Sequence, residues 1–558
     1  MKSQIHQEVC MTGLRKTAFV FSGFYALALV FGYIMYETNS LAGGFCSVKQ
    51  SMLTISAIVL IALALGFLML FVLQFVAKQR SFKSDTSRLY CFFTRKNALL
   101  YIWAIIFCCW LPCYLAYFPG VFSYDIITQT AMIMGDIPYS TIVPPMHTFI
   151  WVVCVQIQEV LHTNNAIVFY SLFQMLVFSA MLARIVVYTG RKTGFSLWPL
   201  LTLIFFALNP VVAIMSFSTT KAVIFAGFFA LLAIEIWELV SDPEAYLSCR
   251  RSRIRFIVIA LLACLFRGNA FGCLILLIPF AVKLLRENRK RVIEIVAVPV
   301  VLYLLINSVV FPALGFEKGS NSELVAVPIQ QMANVVSNHQ DELSEEELSL
   351  LSVYYGCGPE NIADNYNPRF ADPLKSSFHV SGSKLPSFVK LWLSLGLKYP
   401  GDYLDAFLTL NLPYWYQHAD AVDAFSQRQY IETSLGGDKH FGGYGYYWFF
   451  RDSKLPVLYG LYEKAADYSM FRNIPVISSV FSLSFPIWFI AFCLALLKAK
   501  GMLRERLVLL PSLFQCIIFL FGPVSNFRYV FPVFILYPVF AAICFGYNNI
   551  VITDSKNS

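Results

Sequence analysis

The chain has 558 residues, of which 58% are hydrophobic and only 13% charged, and its mean hydropathy is +0.64. Soluble domains carry roughly 45–50% apolar and about 25% charged residues, so this composition excludes a soluble enzyme, a disordered chain and a nucleic-acid binder. The net charge of +9 is unevenly spread: residues 313–472 hold 19 acidic and 12 basic side chains, against 14 and 30 in the remainder. Basic residues crowd the short connections, as in the cytoplasmic loops of a polytopic membrane protein. The acidic block reads as one large water-exposed portion on the opposite side.

Taken in order, Arg15 and Lys16 precede an apolar run to about Met35. That run exceeds the roughly 7–15 residues of a cleavable signal core, so it is expected to be a first span with the N-terminus inside. A second span at about Met52–Val76 leads to a basic loop carrying Lys78, Arg80, Lys83, Arg88, Arg95 and Lys96. A third, at about Ala98–Tyr117, delivers PGVFSYDIITQ to the external face. Met146–His162 looks like a span but carries His147, Gln156, Gln158, Glu159 and His162. If it crossed, Arg191 and Lys192 would fall outside, so residues 118–163 are expected to form an external loop with an interfacial helix.

A span follows at about Ala166–Tyr188, then a hairpin at about Leu197–Met215 and Ala222–Val240 with FSTTK at its outer tip. Arg250, Arg251, Arg253 and Arg255 mark the inside, and so do Arg286, Arg289, Lys290 and Arg291. The stretch between them must cross an even number of times, as two short helices with FRGN at the outward tip. Further spans are expected at about Val292–Phe311, Ile474–Leu497, Leu507–Phe521 and up to Phe545, about twelve crossings in all with the C-terminus inside. In the acidic portion, SEEELSLL starts like a capped helix at Ser344. LPSFVKLWLSLGLKYPGDYLDAFLTLNLPYWY reads as surface helices broken at YPGD, and GGDKHFGGYGYY as a lid loop. Most of the fourteen cysteines lie in apolar runs and read as small packing residues; Cys46 and Cys357 lie outside them. Histidines 339, 379, 418 and 440 are too scattered for a metal site.

This threading brings Asp125, Lys221, Arg267 and Arg528 to one outer face. Three cations and a carboxylate at an apolar boundary suit a phosphate-bearing, lipid-linked substrate, because Arg and Lys bond phosphate strongly where the dielectric is low. The carboxylate can take a proton from an attacking hydroxyl or hold a divalent ion. Structural readings compete: Asp125 as a helix cap, Lys221 and Arg528 as snorkelling side chains, His147 as a buried hydrogen-bonding group, Asp136 as a turn residue.

An outward span, an aspartate-bearing first loop (PGVFSYDIITQ), the turn VPPMHTFIW, a cationic hairpin tip and a late RY resemble the GT-C superfamily of polyprenyl-phosphate-sugar-dependent glycosyltransferases, which includes protein O-mannosyltransferases. PGVFSYD, VPIQQMANVV, YNPRFADPLK and FRGN resemble a Gram-positive bacterial branch of it. The resemblance covers roughly Leu99–Cys544, with two extra spans before it, and together with the threading it leads to an expected all-α membrane fold in four parts. These are 1–96 (two N-terminal spans and a basic cytoplasmic loop), 97–312 (the catalytic core), 313–473 (an external, partly interfacial helical region) and 474–558 (the C-terminal spans). It implies Asp125 as catalytic base or contact to a divalent cation, and Lys221, Arg267, Asn269, Arg528 and His147 as residues for the lipid phosphate. The expected partners are a polyprenyl-phosphate-sugar donor, membrane lipids and an acceptor at the outer face of the cell membrane. A lipid transporter or flippase, and a non-catalytic assembly subunit, are the competing function classes.

Overall fold

The computed structural model describes residues 2–78, 87–163, 165–319, 325–380, 382–419, 429–431 and 452–546. Among these the regular elements are all helices, and β pairing is confined to three isolated bridges. The loop GGDKHFGGYGYY and part of the expected basic loop after the second span lie outside the described residues.

The bundle is built from α1 (Lys2–Thr38), α2 (Val48–Lys78), α3 (Ala98–Ala116), α4 (Tyr124–Met134), α5 (Pro145–Val160), α6 (Ala166–Thr193), α7 (Leu197–Leu208), α8 (Pro210–Ser216), α9 (Lys221–Ser241), α10 (Arg250–Phe266), α11 (Asn269–Leu284) and α12 (Arg289–Leu305). A π-helical turn at Ile306–Val310 extends α12 to Ala313. The acidic region supplies α13 (Ala326–His339), α14 (Glu345–Tyr355), α15 (Asp372–Lys375), α16 (Leu385–Lys398) and α17 (Pro400–Leu410). The C-terminal part supplies α18 (Phe485–Ala499), α19 (Arg506–Phe519) and α20 (Phe527–Phe534), the last continuing toward Gly546.

Seven helices are long and apolar enough to cross a membrane, or eight if the bent pair α7–α8 is one span. The protein is therefore a polytopic helical membrane protein, but length does not support the expected twelve crossings. The other expected spans are bent or short. α7 and α8 meet at 59°, because Pro210 has no N–H to offer the Phe206 carbonyl; the Trp110 indole donates to that carbonyl instead, at 2.9 Å. Helices α10, α11, α18 and α19 run 17, 16, 15 and 14 residues, about 21–26 Å at ~1.5 Å per residue and short of a ~30 Å hydrocarbon core. The expected span at Ile474–Leu497 is interrupted before α18, with a separate short helix at Ile477–Phe481. α5 is not among the helices long and apolar enough to cross.

Enclosure differs sharply between helices. In α9, 89% of the apolar window is buried within the protein, against 6% in α2; α9 is the centre of the bundle and α2 offers its sides to lipid. At one end of α9, the fully buried Glu235 accepts from Arg255 Nε at 2.7 Å, Arg184 Nη2 at 3.3 Å and Tyr246 Oη at 2.7 Å. A buried carboxylate bound to groups on α6, α10 and the α9–α10 connection fixes the register of these helices. Register matters because the other ends of α9 and α10 carry Lys221 and Arg267.

The acidic region packs around its own core of Ile329, Met332, Leu351, Tyr355, Phe388 and Leu395. Ser344 begins α14 in a reciprocal capping box with Glu347, and the YPGD break separates α16 from α17 at Tyr399, both as the sequence predicts. The described cysteines are unpaired; Cys113, Cys264, Cys273, Cys493, Cys516 and Cys544 are buried, while Cys108 is exposed.

Candidate functional site

Two short backbone clasps assemble the site. In the PGVFSYD loop, Gly120 has φ +150°, and a Cβ there would lie 2.5 Å from Ser171 Oγ, so only glycine suits this close approach to α6. The chain then bridges in parallel to the FSTTK tip: Thr219 N–H donates to Val121 O at 2.9 Å, Ser123 N–H to Thr219 Oγ1 at 2.8 Å, and Ser123 Oγ to Thr219 O at 2.6 Å. This clasp sets the first turn of α4, with Asp125, against the first residue of α9, Lys221. A second clasp fixes the loop that leads into α20, whose second residue is Arg528. Tyr414 Oη donates to Asn526 O at 3.1 Å and accepts from Asn526 N–H at 2.8 Å, while Asn411 donates to Leu520 O at 2.9 Å.

The result is a cavity of about 1050 Å³ whose walls include Asp125, Lys221, Arg267, Asn269 and Arg528. Lys221 Nζ lies 3.4 Å from both Asp125 oxygens, and Arg528 Nη1 lies 3.9 Å from Oδ2. Arg267 donates to the Arg528 carbonyl at 3.4 Å, and both guanidinium groups lie over the Tyr529 ring, at 4.6 and 5.0 Å. Burial alone would raise the Asp125 carboxyl, but the charges of Lys221 and Arg528 outweigh it and hold the group at about 2. Asp125 is therefore ionised throughout the neutral range.

Five helices begin at this cavity: α4 at Tyr124, α5 at Pro145, α9 at Lys221, α11 at Asn269 and α20 just after Asn526. Each N-terminus is the positive end of a helix dipole, worth roughly half a positive charge. Together with Lys221, Arg267 and Arg528, they make one wall strongly attractive to anions. Another wall is apolar, with Leu265, Phe311, Ile518, Phe519 and Phe521.

The structure corrects one expected site residue. His147 does not reach the cavity wall; it is fully buried behind it, because the Pro144–Pro145 turn points the first coil of α5 inward. Its ring nitrogens lie 2.9 Å from Gln129 and 2.6 Å from Tyr170. Gln174 Nε2 donates to Ser216 O and Ser218 O, so its Oε1 must accept from Tyr170. Burial pushes the imidazole down to about 4. Gln129 lies one turn after Asp125 on α4, so His147 steadies the helix that carries the carboxylate. Asp136 is exposed, and its N–H and that of Gly135 close the C-terminus of α4 on Ala131 O and Met132 O.

Reading the sequence missed Phe370, Asp372 and Lys375, which line the same cavity from the acidic region, and Tyr529 beneath the two arginines. The motif YNPRFADPLK stands out as turn-rich, yet nothing in it signals which membrane loop it meets. The donor set does not suit a divalent cation. Two cations lie within 4 Å of Asp125, Asp372 is paired with Lys375, and among the described residues no cluster of three His, Cys, Asp or Glu side chains is placed to bind a metal.

No curated protein and no solved structure matches this chain. One family does match, over residues 144–556, a stretch that takes in Lys221, Arg267, Asn269, Asp372 and Arg528 but begins after Asp125. The chain belongs to that family, which is described as a family of unknown function (DUF6020).

Proposed function

We propose that the protein is a membrane glycosyltransferase of the GT-C type, moving a sugar from a polyprenyl-phosphate carrier to an acceptor hydroxyl. The observation that carries this reading is the cavity, which brings Lys221, Arg267, Arg528 and five helix N-termini together with Asp125 beside an apolar wall. An anionic headgroup with a long hydrocarbon tail satisfies both walls at once.

In the proposed reaction the acceptor oxygen bonds to the anomeric carbon as the bond from that carbon to the phosphate oxygen breaks. The hydroxyl proton passes to Asp125, and the electron pair stays on the lipid phosphate, where Lys221, Arg267 and Arg528 stabilise it. A carboxylate held near 2 is a poor base, but its cations are also the phosphate ligands. A phosphate that draws Lys221 and Arg528 toward itself removes what depresses Asp125, so donor binding raises its basicity.

The proposed topology is about twelve crossings in the cell membrane with both termini cytoplasmic, the short helices spanning in pairs or at locally thinned bilayer. Helix polarity supports it. Arg191 and Lys192 end α6, and Arg250–Arg255 begin α10, each at the end away from the cavity. Labelling an engineered cysteine in the Arg191–Lys192 loop from the outside alone would overturn this orientation. The function is tested with the protein in lipid nanodiscs, supplied with polyprenyl-phosphate hexoses and analysed by mass spectrometry for bare lipid phosphate and new glycosides. Failure to bind or turn over any such donor ends the reading.

A further inference from the structure

The cavity has a second polar patch that the lipid phosphate does not use. Among the described residues of 325–419, those that line it are Phe370, Asp372 and Lys375. Lys375 Nζ lies 2.7 Å from Asp372 Oδ1; the lysine side chain is 15% exposed and the aspartate 42%. The segment is fastened in place. Phe370 bridges antiparallel to Val524, Ala371 N–H donates to Pro523 O at 2.9 Å, and Gln330 donates to Asn367 O at 2.8 Å. Val524 lies in the loop that leads directly into α20 and Arg528, so the patch is held in fixed relation to the cations.

An ion pair within one helical turn adds little to stability, which does not account for building it into a cavity wall. Its chemistry does suit a ligand. A carboxylate accepts from two neighbouring hydroxyls, an ammonium donates to a third oxygen, and an aromatic ring packs against a C–H face. A polyhydroxylated ring offers all three features.

We propose that Phe370, Asp372 and Lys375 form a subsite that grips the hydroxyls of a sugar ring inside the cavity. This rests on the glycosyl-transfer reading above. The ring is that of the donor or of a glycan acceptor, and the two share the recognition chemistry.

The test uses the full chain in nanodiscs, with Asp372→Asn and Lys375→Ala, both checked for unchanged melting and monodisperse elution. The probes are bare polyprenyl phosphate, polyprenyl-phosphate hexoses and a panel of soluble methyl hexosides. With a donor ring in the subsite, wild type binds a hexose-bearing lipid ~10-fold tighter than the bare lipid, and both variants lose that increment while holding bare lipid phosphate normally. With an acceptor ring, the variants keep the increment but lose binding of methyl hexosides. Variants that match wild type on every probe overturn the subsite while leaving the lipid-phosphate reading intact. If wild type binds neither lipid, the glycosyl-transfer reading falls. The subsite then stands only if methyl hexosides bind wild type and not the variants, and is overturned otherwise.

Discussion

Replacing Asp125 by asparagine separates two effects that the carboxylate combines. Asp125 lies 3.4 Å from Lys221 and 3.9 Å from Arg528, so it competes with any phosphate for the same two cations. A phosphate seated on those cations would sit roughly 6 Å from the carboxylate, and at an effective dielectric of about 20 two unit charges at that separation repel by about 3 kcal/mol. Screening in a cavity open to water leaves roughly half of this, so Asp125→Asn should bind bare polyprenyl phosphate ~10-fold tighter. The same change removes the proton acceptor, and transfer should drop by ~10²-fold or more. Binding is read by titration in nanodiscs and transfer by product formation from a polyprenyl-phosphate hexose. Tighter binding with lost turnover is the signature of a carboxylate that opposes the ground-state anion and serves the chemistry. Weaker binding would mean that Asp125 mainly organises the cations, and normal turnover would remove it from the mechanism.

Further outcomes follow from the buried polar groups. Burial holds His147 at about 4 in the folded protein against an ordinary value near 6.5, so the unfolded chain binds a proton in this window that the folded chain does not. Stability should be complete above pH 6.5 and fall by up to about 3 kcal/mol as pH drops to 4; thermal melts of His147→Gln across that range should show a flatter slope, and an unchanged slope would clear His147 of the effect. Asp125 has the depressed carboxyl, so its stabilising contribution is present above about 4 and lost as pH falls toward 2, a loss that acid melts of Asp125→Asn should lack. At the opposite end of the bundle, Glu235→Gln strips the charge from a fully buried carboxylate and leaves Arg255 with Glu238, at 2.6 Å, as its carboxylate partner, at a cost of about 2 kcal/mol. A melting temperature equal to wild type would show that the cluster does not set the register of α9 and α10.

What the sequence determined and what it left open divide along physical lines. Local patterns were legible: the capping box at Ser344, the YPGD break and the short FRGN hairpin all follow from neighbouring residues. Charge parity across a bilayer even brought Asp125, Lys221, Arg267 and Arg528 to one end, because each short loop must sit on one side or the other. Continuity of the spans was overread. Asn209–Pro210 breaks one of them, a signal present in the dipeptide but hidden in a long apolar run. The role expected of His147 failed because facing inward or outward is decided by how α5 packs on α4 and α6, not by its own sequence. Asp372 and Lys375 reached the cavity only through bridges to Val524 and Pro523, some 150 residues further along the chain. Contacts of that sequence separation leave no local periodicity to read, since they arise when separately folded segments meet and pair their backbones. The sequence therefore determined that Asp125, Lys221, Arg267 and Arg528 share one end of the bundle, whereas the tertiary structure alone decided which other side chains line the cavity with them.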